Sequence, residues 1–227
     1  MIHRPHVVIN VASTLDGKID TIERRGSAIS SERDRHRVDV LRASVDAVMV
    51  GGRTLLDEDP RLLVRSAALR AERVARGASE HPAKVGVVSR PTLAVDSRFL
   101  TAGPARIILF TVSGLAEPEV TRLREREVEV YALGEKRVDL AAALTKLADL
   151  GIQSVLVEGG GSLNFELLRL DLVDEVQVFV APLIFGGSTA PTLADGSGLV
   201  RDLALPLRRA DVETWEDGGV VLRYTLS

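Results

Sequence analysis

Residues 155–164 read Val-Leu-Val-Glu-Gly-Gly-Gly-Ser-Leu-Asn (VLVEGGGSLN), and their reading decides the fold. Val155, Leu156 and Val157 form an apolar run of the kind that makes a buried strand. Glu158 closes the run, and Gly159, Gly160, Gly161 and Ser162 follow it. Leu163, Phe165, Leu167 and Leu168 then recur at helical spacing. A strand, a glycine turn and a helix in that order aim unsatisfied main-chain N–H groups at an anion. Glycine carries no Cβ, so a diphosphate can come close to the chain. Glycine turns also serve as plain tight connections, and the triplet alone leaves both uses open. A carboxylate directly before the glycines is harder to explain as packing, because acids are seldom buried without a partner.

The flanks carry the same alternation of strand and helix. Before the focal strand, residues 139–150 place Leu140, Ala143, Leu144 and Leu147 at helical spacing, and Gly151 is a natural stop. After the focal helix, a polar turn over 171–175 leads into a strand over 176–181. Residues 182–195 read as loop. Residues 207–214 and 220–226 read as a hairpin around Asp217, Gly218 and Gly219. Toward the N-terminus, strands are expected over 6–12, 46–51, 82–90, 106–111 and 127–131, with helices over 32–43 and 118–126. Residues 67–77 are alanine- and arginine-rich and read as helical or loosely ordered. Ser31 and Asp34 have capping-box spacing for the first helix. Its inner face is expected to hold Val38 and Leu41, with Arg33, Arg35 and Arg37 on a solvated face. Parallel βαβ units followed by antiparallel strands predict an α/β protein: one domain over 1–227, with a mixed, mostly parallel sheet flanked by helices and antiparallel C-terminal strands.

Polar groups collect at the strand ends. Asp16-Gly17 follows the first strand and reads as a tight turn, either of a hairpin or of a ligand loop. Gly51, Gly52, Arg53 and Thr54 follow the second, then Asp57, Glu58 and Asp59 before Pro60, and Arg61 and Arg65 after it. Three consecutive acids point in different directions, so an acidic loop is a better reading than a divalent-metal site. Ser89, Thr111 and Glu158 close further strands. Arg42 sits at the end of the first helix, where a cation is also simply favourable to the helix dipole. In open α/β sheets, ligands gather at the C-terminal ends of strands.

Several classes are excluded. The chain has no cysteine, hence no disulfide, thiolate nucleophile or cysteine zinc site. Its formal net charge of −3 and 4% aromatic content give neither the field nor the stacking surfaces that nucleic acid wants. No apolar run has membrane-spanning length, which predicts a cytoplasmic protein. No G-x-G-x-x-G, Walker lysine or G-x-S-x-G is present, and the four histidines lack ligand or triad spacing. Strand ends with glycines, hydroxyls and arginines but no nucleophile suit a phosphate-bearing organic cofactor that carries the chemistry.

The succession N-V-A-x-x-L-D-G-K, L-R-A-x-x-D-A-x-x-V-G, T-L-L-x-x-D-P-R-L-x-V-R, V-E-G-G-G-x-L-N, L-V-D-E-V and A-P-x-I-F-G-G resembles the pyrimidine reductases of riboflavin biosynthesis. That resemblance implies a dihydrofolate-reductase-like fold and NADPH as cofactor. It also implies a free-standing enzyme acting on 2,5-diamino-6-(ribosylamino)-4(3H)-pyrimidinone 5′-phosphate. The 5-amino-6-(5-phosphoribosylamino)uracil reductases, a dihydrofolate reductase-like enzyme and a non-catalytic NADPH-binding protein are the alternatives. It assigns cofactor contacts to Ala12, Thr54, Glu58, Ser89, Gly159, Gly160, Gly161 and Ser162. Substrate contacts fall on Arg42, Leu62, Arg65 and Glu158, with Glu158 and Asp16 as candidates for moving a proton. Arg53 is placed to meet the NADPH 2′-phosphate. The run over 26–29 lacks the tryptophan of many fused bacterial members, and the segment over 89–96 is longer than usual. A homodimer, no metal, and no nucleic-acid or membrane partner complete the expectation.

Overall fold

The computed structural model describes residues 3–26, 28–90, 92–115 and 117–226. Ser27 and Pro91, inside two of the stretches just compared, lie outside the described residues. Contacts cluster in two compact units: Asp39–Leu156 with the short stretch ending at Pro5, and His6–Val38 with Val157–Ser227. Among the described residues, nine strands pair in a mixed, mostly parallel sense.

The first unit is built on β2 (Ala47–Gly51), β3 (Ala83–Val87), β4 (Ile107–Thr111), β5 (Val128–Ala132) and β6 (Ser154–Val157), in the order β5-β4-β3-β2-β6. The β2–β3, β3–β4 and β4–β5 pairs are parallel. Every residue of β2, β3 and β4 is buried, which is why they read as unbroken apolar runs rather than alternating ones. Lys84 is the exception in β3. Its ammonium is fully buried and donates to the carbonyls of Phe99 and Ala102, each at 2.7 Å. Helices α2 (Ala67–Ala75), α3 (Arg98–Thr101), α4 (Glu117–Arg124) and α5 (Leu140–Asp149) link these strands. Asp139 caps α5 through the Ala142 amide at 3.0 Å, and Gly151 ends it at φ 83°.

The second unit holds β1 (His6–Thr14), α6 (Gly161–Arg169), β7 (Glu175–Ala181), β8 (Leu207–Thr214) and β9 (Val220–Leu226), with strand order β1-β7-β9-β8. The β1–β7 pair is parallel, and β7–β9 and β8–β9 are antiparallel. The hairpin strands have the bounds read from the sequence. Ile29, Phe179, Ala181, Trp215 and Val221 form a core there, with Trp215 stacked on Phe179 at 5.2 Å. The Arg33 guanidinium lies 4.6 Å from the Trp215 ring.

Helix α1 (Glu32–Ser44) corrects one expectation. Ser31 Oγ accepts from the Asp34 amide at 3.3 Å, as the capping spacing predicts. Arg37, however, is not on a solvated face. It donates to Asp34 Oδ1 at 2.9 Å, to Gln177 Oε1 at 2.9 Å and to Asn10 Oδ1 at 2.8 Å. Asp34, Asp39, Asn10 and Gln177 are all buried, while Val40 is exposed. Hydrogen bonds hold most of these buried polar groups, Asp34 Oδ2 excepted, so an apolar moment could not reveal their burial. Three short elements were also missed: a π-helical turn Thr54–Glu58, α3 and a 3₁₀ turn Arg201–Leu203. Each is too brief to show a period.

Candidate functional site

Three of the four candidate substrate residues, Arg42, Leu62 and Arg65, lie in the first unit around one loop. Arg42 lies in the last turn of α1, whose end is capped by side chains of α2 and the residue after it. Buried Arg73 donates through Nη1 to the carbonyls of Ala43 at 2.8 Å and Val45 at 2.7 Å, and more weakly to Arg42 O at 3.4 Å. Arg76 also donates to Ala43 O. The orphan carbonyls of the helix end are therefore already served. The Arg42 guanidinium instead donates to Leu63 O at 3.1 Å. Leu62 precedes that carbonyl. It is buried and sits at φ 53°, a left-handed conformation that a branched side chain rarely adopts. Asp39, one turn before Arg42, accepts from the Arg65 amide at 2.7 Å and the Ser66 amide at 2.8 Å. Arg42, Leu62 and Arg65 are thus brought together, with the Arg65 side chain exposed.

Thr54 and Glu58 open and close the π-helical turn that follows β2. Gly52 packs tightly there, since a Cβ on it would lie 3.1 Å from Val88. Asp59 turns away to accept from the Arg98 and Phe99 amides at 2.7 and 2.9 Å at the start of α3. Glu58 contributes its carbonyl to Arg98 at 2.6 Å. No group of three His, Asp or Glu suited to a metal occurs among the described residues. Ser89, exposed and two residues past β3, accepts from Thr111 Oγ1 at 3.1 Å. Because β2, β3 and β4 are parallel neighbours, Thr54, Ser89 and Thr111 stand at the C-terminal ends of adjacent strands.

The second unit holds the glycine turn. Glu158 follows β6 and is half-buried. Gly159 has φ 102°, a backbone closed to side chains, and a Cβ on it would meet no atom within 4 Å. The Gly159–Gly160 peptide is cis. Gly160 is the N-cap of α6 and, having no side chain, gives its first-turn amides no cap of its own. Gly161 is different: a Cβ there would run into the Thr192 carbonyl and the Asp195 carboxylate. Close approach of the chain's own 192–195 segment demands glycine at 161, whereas at 159 the space is open. Ser162 is exposed on the first turn.

Ala12 lies near the end of β1, paired with Phe179. Among the described residues no hairpin strand follows β1: the Asp16-Gly17 turn leads to an isolated bridge between Lys18 and Thr192. Asp16 accepts from Thr14 Oγ1 at 2.6 Å, Gly186 N at 2.7 Å and Phe185 N at 3.2 Å. The Thr14 hydroxyl first, and then the two amides, lower the Asp16 pKa below the ordinary aspartate value. Asp16 is therefore an ionised clamp between the turn after β1 and the loop after β7. Sequence reasoning missed Asp39 and Arg73. The signal available for Asp39 was an acid three residues before Arg42, on the same helical face.

Parallel strands ending in polar loops, a glycine turn opening a helix and an antiparallel C-terminal hairpin define a mixed α/β protein of the dihydrofolate-reductase-like class. The chain belongs to the RibD C-terminal domain family, whose model matches residues 5–222. It is 41% identical over 198 residues to the 2,5-diamino-6-ribosylamino-4(3H)-pyrimidinone 5′-phosphate reductase of Archaeoglobus fulgidus, covering 87% of this chain and 90% of that one. A protein of the same name from Methanothermobacter thermautotrophicus is 43% identical over 197 residues, covering 86% of each. The solved structure of Acinetobacter baumannii RibD shares the fold, with a TM-score of 0.81 at 24% identity over 99% of this chain. This chain spans 58% of that longer protein. Among the described residues, no helix is long and apolar enough to cross a membrane.

Proposed function

We propose that this chain uses NADPH to reduce the ribose of a phosphoribosylamino-pyrimidine to its ribityl form in riboflavin biosynthesis, and that the substrate is 2,5-diamino-6-(ribosylamino)-4(3H)-pyrimidinone 5′-phosphate. The observation that carries the reading is 41% identity to a reductase of that name along nearly the whole length of both chains. The proposed protein is a cytoplasmic homodimer, with residues 1–227 working as one reductase domain.

The glycine turn fits a dinucleotide. Its N-cap glycine gives the α6 amides no side-chain cap, and the space beside Gly159 is open. Gly159, Gly160, Gly161 and Ser162 would hold the diphosphate, with Ala12, Thr54, Glu58 and Ser89 as further cofactor contacts and Arg53 meeting the 2′-phosphate. When bound, the nicotinamide supplies a hydride to C1′ of the sugar. Arg42 and Arg65 hold the substrate phosphate and sugar by forked, charge-assisted hydrogen bonds, and Leu62 packs against the substrate. The sugar ring opens as C1′–O4′ breaks, the electron pair leaving with O4′, and the exocyclic nitrogen, keeping its N–H, forms a protonated imine to C1′. Hydride then adds at C1′ and O4′ takes a proton. Glu158 is the group assigned to orient the substrate and move that proton. Asp16, the second candidate, has a lowered pKa and suits the role of acceptor rather than donor.

The test is steady-state oxidation of NADPH with the diamino-pyrimidinone ribotide and, separately, with the amino-uracil ribotide. The proposal expects the first to give the higher kcat/KM. A reversed preference would reassign the substrate, and NADPH binding without turnover by either would remove the enzyme reading. Glu158→Gln is expected to lower kcat by roughly 10²–10⁴-fold with little change in NADPH affinity. Full kcat in that variant would eliminate its proton role.

A further inference from the structure

The assignment of Arg42 and Arg65 leaves open what fixes their separation. Both answer to α1. The helix sends Arg42 to the Leu63 carbonyl, and one turn earlier it sends the buried carboxylate of Asp39 to the amides of Arg65 and Ser66 at 2.7 and 2.8 Å. The loop between is bent through Leu62 at φ 53°, a conformation that does not persist unless something holds it. Ser66 then caps α2 through the Leu69 amide at 3.4 Å, and Arg73 of α2 returns to the end of α1. The loop is closed at both ends onto the one helix that also carries Arg42.

We propose that Asp39 is a positioning residue for substrate recognition: its two carboxylate oxygens set where the Arg65 backbone stands relative to Arg42. The inference rests on the reading above that these arginines bind the phosphorylated sugar. A carboxylate is the group this job needs, because it offers acceptors to two successive amides at once. Asparagine keeps the size but replaces one acceptor with an NH₂ that faces an N–H donor. The loop then loses one bond and the charge assistance of the other.

The consequence is specific. If Asp39 acts through the arginines, its loss falls on recognition of the phosphate, and NADPH binding is untouched. In Asp39→Asn we expect substrate KM to rise about tenfold, with KM for NADPH within twofold of the parent. The preference for the 5′-phosphorylated substrate over its dephosphorylated riboside, measured as the kcat/KM ratio, should fall at least fivefold. A merely structural role would lower kcat/KM for both substrates alike and leave that ratio unchanged. In an Arg65→Met background, Asp39→Asn should change the ratio by less than twofold, since two residues acting through one contact are not additive.

An unchanged ratio in Asp39→Asn, or full additivity with Arg65→Met, overturns the proposal. If Arg65→Met itself leaves substrate KM unchanged, the reading of Arg65 fails and this inference falls with it. If Arg65→Met raises KM and Asp39→Asn does not shift the ratio, only the positioning role fails. Should Asp39→Asn not fold, Asp39→Glu keeps both acceptors one methylene further out and must shift the ratio in the same direction. An unshifted ratio there is contrary evidence of the same weight.

Discussion

At the scale of single residues, two of the glycines after Glu158 look alike in the sequence and differ in what surrounds them. Gly161 is required by its own chain, because a Cβ would strike Thr192 O and the Asp195 carboxylate. Gly161→Ala should therefore cost about 1–3 kcal/mol in chemical denaturation, the range for overpacking a filled site. Gly159 faces open space at φ 102°. Gly159→Ala strains the turn backbone despite that space, so it should lower stability as well as raise KM for NADPH at least tenfold. Lys84 makes a second residue-level prediction. Burial pushes its pKa down to about 8, against a small opposing pull from Asp59. The unfolded chain then holds this proton up to the ordinary lysine range while the folded chain releases it near pH 8, so the contribution of Lys84 to stability rises with pH across that window. The neutral amine keeps two N–H donors for Phe99 O and Ala102 O. The stability of the parent relative to Lys84→Met should grow between pH 8 and 10, and a flat or falling difference would contradict the burial argument. The strand run around Lys84 was legible from the sequence. That a lysine lies inside it was not, because its partners are carbonyls 15 and 18 residues away.

At the scale of elements, legibility followed length and the chemistry of the buried face. The β8–β9 hairpin was read to the residue, because an Asp-Gly-Gly turn separates two strand-length runs, the second of them rich in β-branched and apolar residues. Helix α5 was read nearly as well, since its buried residues Leu140, Ala143, Leu144 and Leu147 keep strict spacing. Helix α1 was located correctly but its face was misread, because it buries Asp34, Asp39 and much of Arg37. Pairing rather than apolarity makes that face tolerable. Removing one partner should then be costly: Arg37→Met is expected to lose about 3–5 kcal/mol of unfolding free energy, leaving the Asp34 carboxylate buried without its cation. Adding Asp34→Asn should recover part of that loss. A cost below about 1 kcal/mol for Arg37→Met would place the pair on the surface in energetic terms. Asp39 is buried on another side of the same helix, against the Arg65 and Ser66 amides, and was missed for the same reason: hydrogen-bonded polar burial leaves no apolar period.

At the scale of the molecule, six ordered motifs pointed to the family, and the family model matches residues 5–222. The residues at strand ends were legible as a polar set because apolar packing does not call for hydroxyls and arginines recurring there. Their partners were not legible, since Leu63 O, Thr192 O and the Asp39 clamp come from main-chain geometry that a motif does not record. The account assigns the glycine turn to a reduced dinucleotide and the loop around Leu62 to a phosphorylated sugar, in one reaction at C1′. The most direct measurement uses NADPH carrying deuterium at C4 of the nicotinamide, with the diamino-pyrimidinone ribotide, and locates the label in the product by NMR. The account predicts one deuterium at C1′ of the ribityl chain, from one of the two C4 labels and not the other. Label at any other carbon, or product formed without label from either position, would contradict it.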